Sequence, residues 1–501
     1  MRTAVVLRRI IPAASTRRLD AVAMGLCFVN FAIRTYRFDF PILGGWEHRF
    51  TWTAWGIRSI RQANLDPFAA EVPVLGPPWK VPFEFPIYQW LAALVASISG
   101  WHDAYAGRAT AAVIFALSGY VTYRLAIHLT SHSIALTALV LYLFCGYALN
   151  WGTEVMPDFT AVLFSTIALL QFLRFAESRR PSVLTYALVA GLLGGLAKVT
   201  TAVLTMGIAL GGLLIARYRL HRTTWVVLAW ASAACIPAVT WNAHADRVKA
   251  SSIHTAYTTS RNLASWQFGP WRDRVEMGSW QTMLRHTFEP IVGSVLMAVL
   301  LLILALGARR HRYVVAALTA SMVAGPAAFA GLYLSHDHYF IASMPAFAIV
   351  AGIALGHVSS RLAEPGDRSG PSIVAAVATI GLVILSWTSP EGVENMNRLL
   401  LRQRAIVGNW EEIREATQPD DRLIVIGLDT NPSLLFDVDR KGLMLRPNGS
   451  RPEEGELGTF YEFVYWAEPD PTAEQWAEYF PPELRYEPIS ANFYRIFPLT
   501  N

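Results

Sequence analysis

Blocks of predominantly apolar residues recur along this chain, many of them long enough to cross a bilayer. A helix rising 1.5 Å per residue needs about 20 such residues for a hydrocarbon core about 30 Å thick. On that criterion spans are expected at 20–38, 107–127, 133–151, 159–176, 183–197, 199–216, 223–241, 290–308, 313–334, 339–358 and 372–388. The expected fold is therefore a polytopic α-helical membrane protein with about eleven transmembrane helices. Composition agrees: 53% of the 501 residues are hydrophobic and 16% are charged, against about 25% charged in soluble domains. This excludes disorder and an ordinary soluble enzyme. The formal charge of +5 does not point to nucleic acid, because the arginines lie in short clusters between apolar blocks. Cys27, Cys145 and Cys235 sit inside apolar blocks without CxxC spacing, so neither a disulfide framework nor a zinc site is indicated.

Two stretches decide the topology. Residues 86–101 are apolar but short and Trp-flanked, and suit a helix lying in the interface. Residues 183–216 would make one helix about 50 Å long, so two short helices meeting at Lys198 are expected. With the N-terminus inside, the clusters Arg2/Arg8/Arg9/Arg17/Arg18, Arg174/Arg179/Arg180, Arg217/Arg219/Arg222, Arg309/Arg310/Arg312 and Arg361/Arg368 all fall on the cytoplasmic side. The opposite short loops at 152–157 and 335–338 carry no Lys or Arg, which is the positive-inside pattern. The basic start runs into the first apolar block without a small-residue cleavage site, so the first helix is expected to remain as an anchor.

Residues 1–389 are thus expected to form a membrane module, with outer loops at 39–106 (carrying interfacial helices) and 242–289. Residues 390–501 are expected to form a soluble extracytoplasmic α/β domain. There RLIVIGLD (422–429) and LML (443–445) read as strands, NPSLLFDVDRKG (431–442) as a helix or turn, and ISANFYRIF (489–497) as an edge or hairpin strand. All of the 17 Trp residues except Trp225 and Trp230 fall in or beside the outer segments. An aromatic belt accounts for many of them, and their one-sidedness leaves room for sugar-stacking surfaces.

The chain carries no P-loop, GxGxxG, HExxH or GxSxG in a strand–turn–helix setting. What remains are ionisable residues at the outer face, where charge near hydrocarbon is costly. Glu47 follows two glycines in GGWEHRFTWTAW (44–55); His48 or Arg49 could simply neutralise it. Glu84 lies between two Phe and two Pro in VPFEFPIYQW (81–90), just before Tyr88. Asp158 in EVMPDF (154–159) begins a span, where an acid can cap the helix. Arg108 starts another span, and Lys198 sits in the glycine-rich GLLGGLAKVTTA (191–202), where snorkelling is the plain alternative. HDHY (336–339) places His336, His338 and Tyr339 together. A solvated loop is the simpler account of it, although alternate histidines suit metal binding. A divalent ion on Glu84 and His336 is permitted, not required.

In order and spacing, FEFPIYQWLAAL (83–94), DAYAGRATAAV (103–113), MPDF (156–159), GLLGGLAKVTTAVL (191–204), HDHYFIASMPAFAIVAG (336–352) and LDTNPSLLFDVDRKG (428–442) resemble the GT-C class of integral-membrane glycosyltransferases. The similarity is narrower to the superfamily of protein O-mannosyltransferases and lipid A aminoarabinose transferases. That resemblance implies sugar transfer, with inversion, from a polyprenyl-phosphate-linked donor on the outer face of a bacterial cytoplasmic membrane. The acceptor would be a glycan, lipid or protein. It implies a carboxylate base in the first outer loop, where the family's pair is usually Asp-Glu and this chain has Trp46-Glu47; Glu47 or Asp39 would serve. Lys198 and Arg108, or a bound divalent ion, would hold the donor phosphate. Glu84 and Asp158 would orient sugar or acceptor or hold the metal, with His48, Tyr88, His338 and Tyr339 around the substrate. The interfacial helix and loop 242–289 would wall the cavity, and the helices at 183–216 would admit the prenyl chain. A lipid-linked sugar flippase would instead place its charges at the midplane within a repeat. A catalytically inactive scaffold paralogue is the reading that Trp46 favours.

Overall fold

The computed structural model describes residues 13–36, 47–362, 370–390, 392–394, 397, 410–428, 431–445, 451–467 and 471–498. The chain folds into two compact units. One comprises Met1–Phe38, Arg108–Trp241 and Ala264–Arg402; the other comprises Asp39–Gly107, Asn242–Leu263 and Gln403–Asn501.

The first unit is helical, and every expected span holds a helix. Among the described residues, five helices are long and apolar enough to cross a membrane: Asp103–Leu129, Asp158–Ser178, Val199–Tyr218, Arg222–Lys249 and Asp337–Leu362. Met277–Val292 and Val295–Gly307 make a sixth if the pair, bent by 78°, is one span. The remaining expected spans hold helices that are shorter, less apolar or more charged, and two of those blocks are broken. The block at 133–151 divides at Cys145 into His132–Phe144 and Gly146–Trp151, and the block at 313–334 divides at Phe329. Breaks leave terminal carbonyls unpaired, and buried Asn30 and Arg34, the latter 3% exposed, reach carbonyls on the two sides of Cys145. Arg34 Nη2 donates to the Ala148 carbonyl at 2.7 Å and its Nε to Asn30 Oδ1 at 2.9 Å. Asn30 in turn donates to the Leu143 carbonyl at 2.7 Å, and Phe115 stacks on the guanidinium at 4.2 Å.

The second unit is built on a five-stranded mixed sheet. Its strands are β1 (Arg422–Ile426), β2 (Lys441–Leu445), β3 (Phe463–Trp466), β4 (Tyr486–Ser490) and β5 (Phe493–Ile496), in the order β2-β1-β3-β5-β4. The parallel β1 and β2 read as unbroken apolar runs because both faces are covered. The antiparallel β4–β5 hairpin ends the sheet, as the alternation of ISANFYRIF suggests. Ile424, Leu443, Val464, Trp466, Trp476 and Ile496 form its core.

The first outer loop belongs to this unit. It contributes Glu47–Gln62 and the apolar helix Ile87–Ser99, whose 13 residues reach only about 20 Å. Residues 73–76 add to the outer side of β2. Gly442 N donates to the Pro73 carbonyl at 3.0 Å and Met444 N to the Val74 carbonyl at 2.9 Å, while Lys441 pairs with Glu71 at 2.8 Å.

A buried ionic network ties the same loop to the helix Ser433–Val438. Arg58, 6% exposed, donates to the Phe436 carbonyl at 3.0 Å, to Asp439 Oδ1 at 2.6 Å and to Asp103 Oδ2 at 3.3 Å. Arg61 reaches Asp103 Oδ1 at 2.7 Å, and that bond raises the Arg61 pKa. Burial, then the Arg58 charge, pushes His102 below the usual histidine range. Arg58→Ala leaves Asp103, 2% exposed, held by Arg61 alone and strips the Phe436 carbonyl of its donor, a loss of about 1–3 kcal/mol. Limited proteolysis should show faster cleavage in both the first loop and the tail, with Arg58→Lys intermediate.

Candidate active site

In the first unit, sequence folds two distant ionisable residues onto each other. Asp158 opens the helix Asp158–Ser178 but does not cap it: the N-cap is Pro157 and no side chain makes the capping bond. Its carboxylate is spent on Lys198, with Oδ1 2.6 Å from Nζ. Lys198 stands at the break between Pro181–Ala197 and Val199–Ala202 in extended backbone, φ −170° and ψ 102°. The break that the length of the block predicts is therefore the feature that presents the lysine. Gly194 brings the helices close: a Cβ there would lie 2.6 Å from Ser165 Oγ. Asp158 is 1% exposed and the Lys198 side chain 13%, so the lysine is held inside and does not snorkel. Asp158 Oδ2 is buried with no hydrogen-bond partner.

HDHY is not a solvated loop. It opens the 3₁₀ segment Asp337–Ser343, in which His338 is buried. Lys198 Nζ lies over the Tyr339 ring at 4.5 Å, and Tyr339 neighbours His338 at 4.4 Å. His338 stacks with His336 at 5.5 Å and tilts against Trp151 at 5.6 Å; Trp266 meets His336 edge-on at 5.3 Å. The segment is pinned by hydroxyls, Tyr147 to the Asp337 carbonyl at 2.7 Å and Tyr333 to the Tyr339 carbonyl at 3.2 Å. Asp158, Lys198, His336, His338 and Tyr339 thus form one cluster. Trp151, Trp266, Tyr147 and Tyr333 were not singled out by sequence; the outer-side excess of Trp was the available signal for the first two. Arg108, also in this unit, is 2% exposed near the start of Asp103–Leu129.

Next to the cluster in sequence begins an apolar cavity of about 150 Å³. Phe340 and Ser343 line it with Trp280, Phe288, Met344 and Phe347. It lies among Met277–Val292, Val295–Gly307, Arg312–Ala328 and the helix that begins at Asp337, and the helices at 183–216 do not line it.

The remaining candidates belong to the second unit. Glu84 is taken up by Arg49 at 2.5 Å. The neighbouring Phe83 stacks on Trp52 at 5.6 Å and faces Arg49 at 5.6 Å and Lys249 at 5.0 Å. Tyr88 is 1% exposed and its hydroxyl donates to the Gly107 carbonyl at 2.8 Å. Glu47 is the first residue of Glu47–Gln62; its side chain, that of His48 and all of Asp39 lie outside the described residues. Among the described residues no group of three or more His, Cys, Asp or Glu is placed to hold a metal ion.

Residues 80–241 match the family model described as dolichyl-phosphate-mannose-protein mannosyltransferase. A search of curated proteins finds no sequence match. The fold is similar to that of ArnT from Cupriavidus metallidurans bound to undecaprenyl phosphate, at 12% identity and TM-score 0.56 over 97% of this chain and 98% of that one. It is also similar to the arabinofuranosyltransferase AftD from Mycobacteria, at 16% identity and TM-score 0.58 over 97% of this chain and 40% of that one. The Archaeoglobus fulgidus oligosaccharyltransferase matches at 13% identity and TM-score 0.50, over 89% of this chain and 67% of its own. This chain is thus a membrane protein with the GT-C fold, and its residues 80–241 are similar to the dolichyl-phosphate-mannose-protein mannosyltransferase model.

Proposed function

We propose that this protein is a glycosyltransferase that moves a sugar, with inversion, from a polyprenyl-phosphate donor to an acceptor hydroxyl on the extracytoplasmic face. The observation that carries this reading is the buried Asp158–Lys198 pair, packed on Tyr339. The apolar cavity lined by Phe340 and Ser343 supports it. An acceptor oxygen attacks the anomeric carbon, the bond to the phosphate oxygen breaks, and the acceptor's proton passes to a carboxylate. The leaving phosphate gains negative charge as that bond breaks. A cation held beside it therefore binds the transition state more tightly than the bound donor. Lys198 supplies that cation, oriented through Asp158 Oδ1, and the buried Arg108 of the same unit is a further cation for the phosphate. Asp158 Oδ2 accepts a hydroxyl of the sugar or acceptor, and Glu47 takes the proton. The first carbons of the donor's hydrocarbon tail lie in the apolar cavity, and His336 and Tyr339, the partly exposed rings of the cluster, give the sugar its stacking faces.

Purified protein in liposomes, offered a panel of polyprenyl-phosphate sugars with EDTA in a parallel series, tests this. The expected result is transfer from one donor class, with the anomeric configuration of the product inverted. Saturable donor binding with no transfer from any donor, and no change on Glu47→Gln, would overturn it in favour of a flippase or scaffold.

A further inference from the structure

The first unit contains a second, polar cavity whose chemistry differs from that of the candidate active site. Its volume is about 380 Å³, within the range of small-ligand sites. It lies where six helices end or begin: after Leu129, before His132, after Gly307, before Arg312, near Leu362 and at Ala375. Arg309, Arg310, His311 and His357 line it with the hydroxyls of Ser133 and Thr137, and no carboxylate is among the described residues lining it. Arg309 and Arg310 are exposed at their loop, and among the described residues neither has an acidic partner. Thr137, 7% exposed, likewise makes no hydrogen bond through its hydroxyl among the described residues. A concave site that gathers two arginines, two histidines and hydroxyl donors suits an anion.

Its place narrows the choice. The helical stretch Asp337–Leu362, which carries Tyr339 in its first turns, ends at this cavity, where Gly356, His357 and Ser359 line it. Eighteen residues of helix, about 27 Å, separate Tyr339 from His357, close to the thickness of a hydrocarbon core. The cavity therefore opens at the other membrane face, beside the arginine cluster that the positive-inside pattern assigns to the cytoplasm. Basic pockets between helix ends on that face suit phosphate-bearing groups. We propose that this cavity is a phosphate-anion site, taking the headgroup of an anionic lipid or a free phosphate, separate from the site of sugar transfer.

Native mass spectrometry of the protein released from nanodiscs of equal phosphatidylglycerol and phosphatidylcholine tests the lipid source. Equilibrium dialysis of delipidated protein against radiolabelled inorganic phosphate tests the free anion. Phosphatidylglycerol retained in preference to phosphatidylcholine, and lost about tenfold or more in Arg309→Gln/Arg310→Gln, supports a lipid headgroup. Saturable phosphate binding with the same loss supports the free anion. Ser133→Asp, which places an acid in the lining, should abolish either. Both substituted positions are exposed, so unchanged thermal unfolding is expected and serves as the folding control. Retention and binding that ignore both variants would overturn the proposal.

Discussion

Lys198→Met combined with Asp158→Asn is expected to leave the protein about as stable as the natural chain and to lower kcat about 10²–10³-fold. Each single substitution should behave differently. Asp158→Asn strands an ammonium whose side chain is 13% exposed, and Lys198→Met strands a carboxylate 1% exposed. Either loss should cost about 3–5 kcal/mol, because an unpaired buried charge is far more expensive than a neutral pair of similar shape. The double variant removes both charges and so restores folding. Activity does not return with it, because the departing phosphate has lost the cation at Lys198. Thermal unfolding in detergent and single-turnover transfer, measured on the same preparations, separate the two effects. A double variant that regains both stability and turnover would reduce the pair to a packing device. In that case Arg108 would be left as the phosphate cation.

Glu47→Gln is expected to lower kcat about 10²–10⁴-fold, the usual worth of a positioned general base, with donor binding unchanged. The amide keeps the shape of the carboxylate and cannot take a proton, so the loss should fall on kcat and not on KM. The competing carboxylate is Asp39, eight residues earlier and just after the first apolar block. Asp39→Asn should leave kcat near that of the natural chain. If Asp39→Asn abolishes turnover and Glu47→Gln does not, the base is displaced to the end of the first helix.

Much of this was legible because it is local. The length of the 183–216 block forces a break, and the break falls at Lys198. Strands β1 and β2 announce themselves as short buried runs, and β4–β5 as an alternating end. The breaks at Cys145 and Phe329 were not legible, since they interrupt blocks whose hydropathy alone is continuous. Pairings across long separations were hidden too. Asp158 and Lys198 each stood out as a charge near hydrocarbon, yet their contact depends on a glycine that lets two helices approach. Arg58 looked like one more residue of an amphipathic surface helix; nothing local shows that its partners are Asp103 and Asp439. HDHY suggested a wet loop because the rings that bury it, Trp151 and Trp266, are supplied from elsewhere in the chain.

The pairing of residues 73–76 with β2 has a consequence for modularity. A sheet edge is a template for other strands unless something occupies it. Here one edge is occupied by a segment some 370 residues upstream, and the other ends in short β4 with Pro488 and Glu487. The tail is therefore not a cartridge that can be excised or grafted. Severed from the first loop, β2 would present bare amides and carbonyls to any passing chain, and its fate would be self-association.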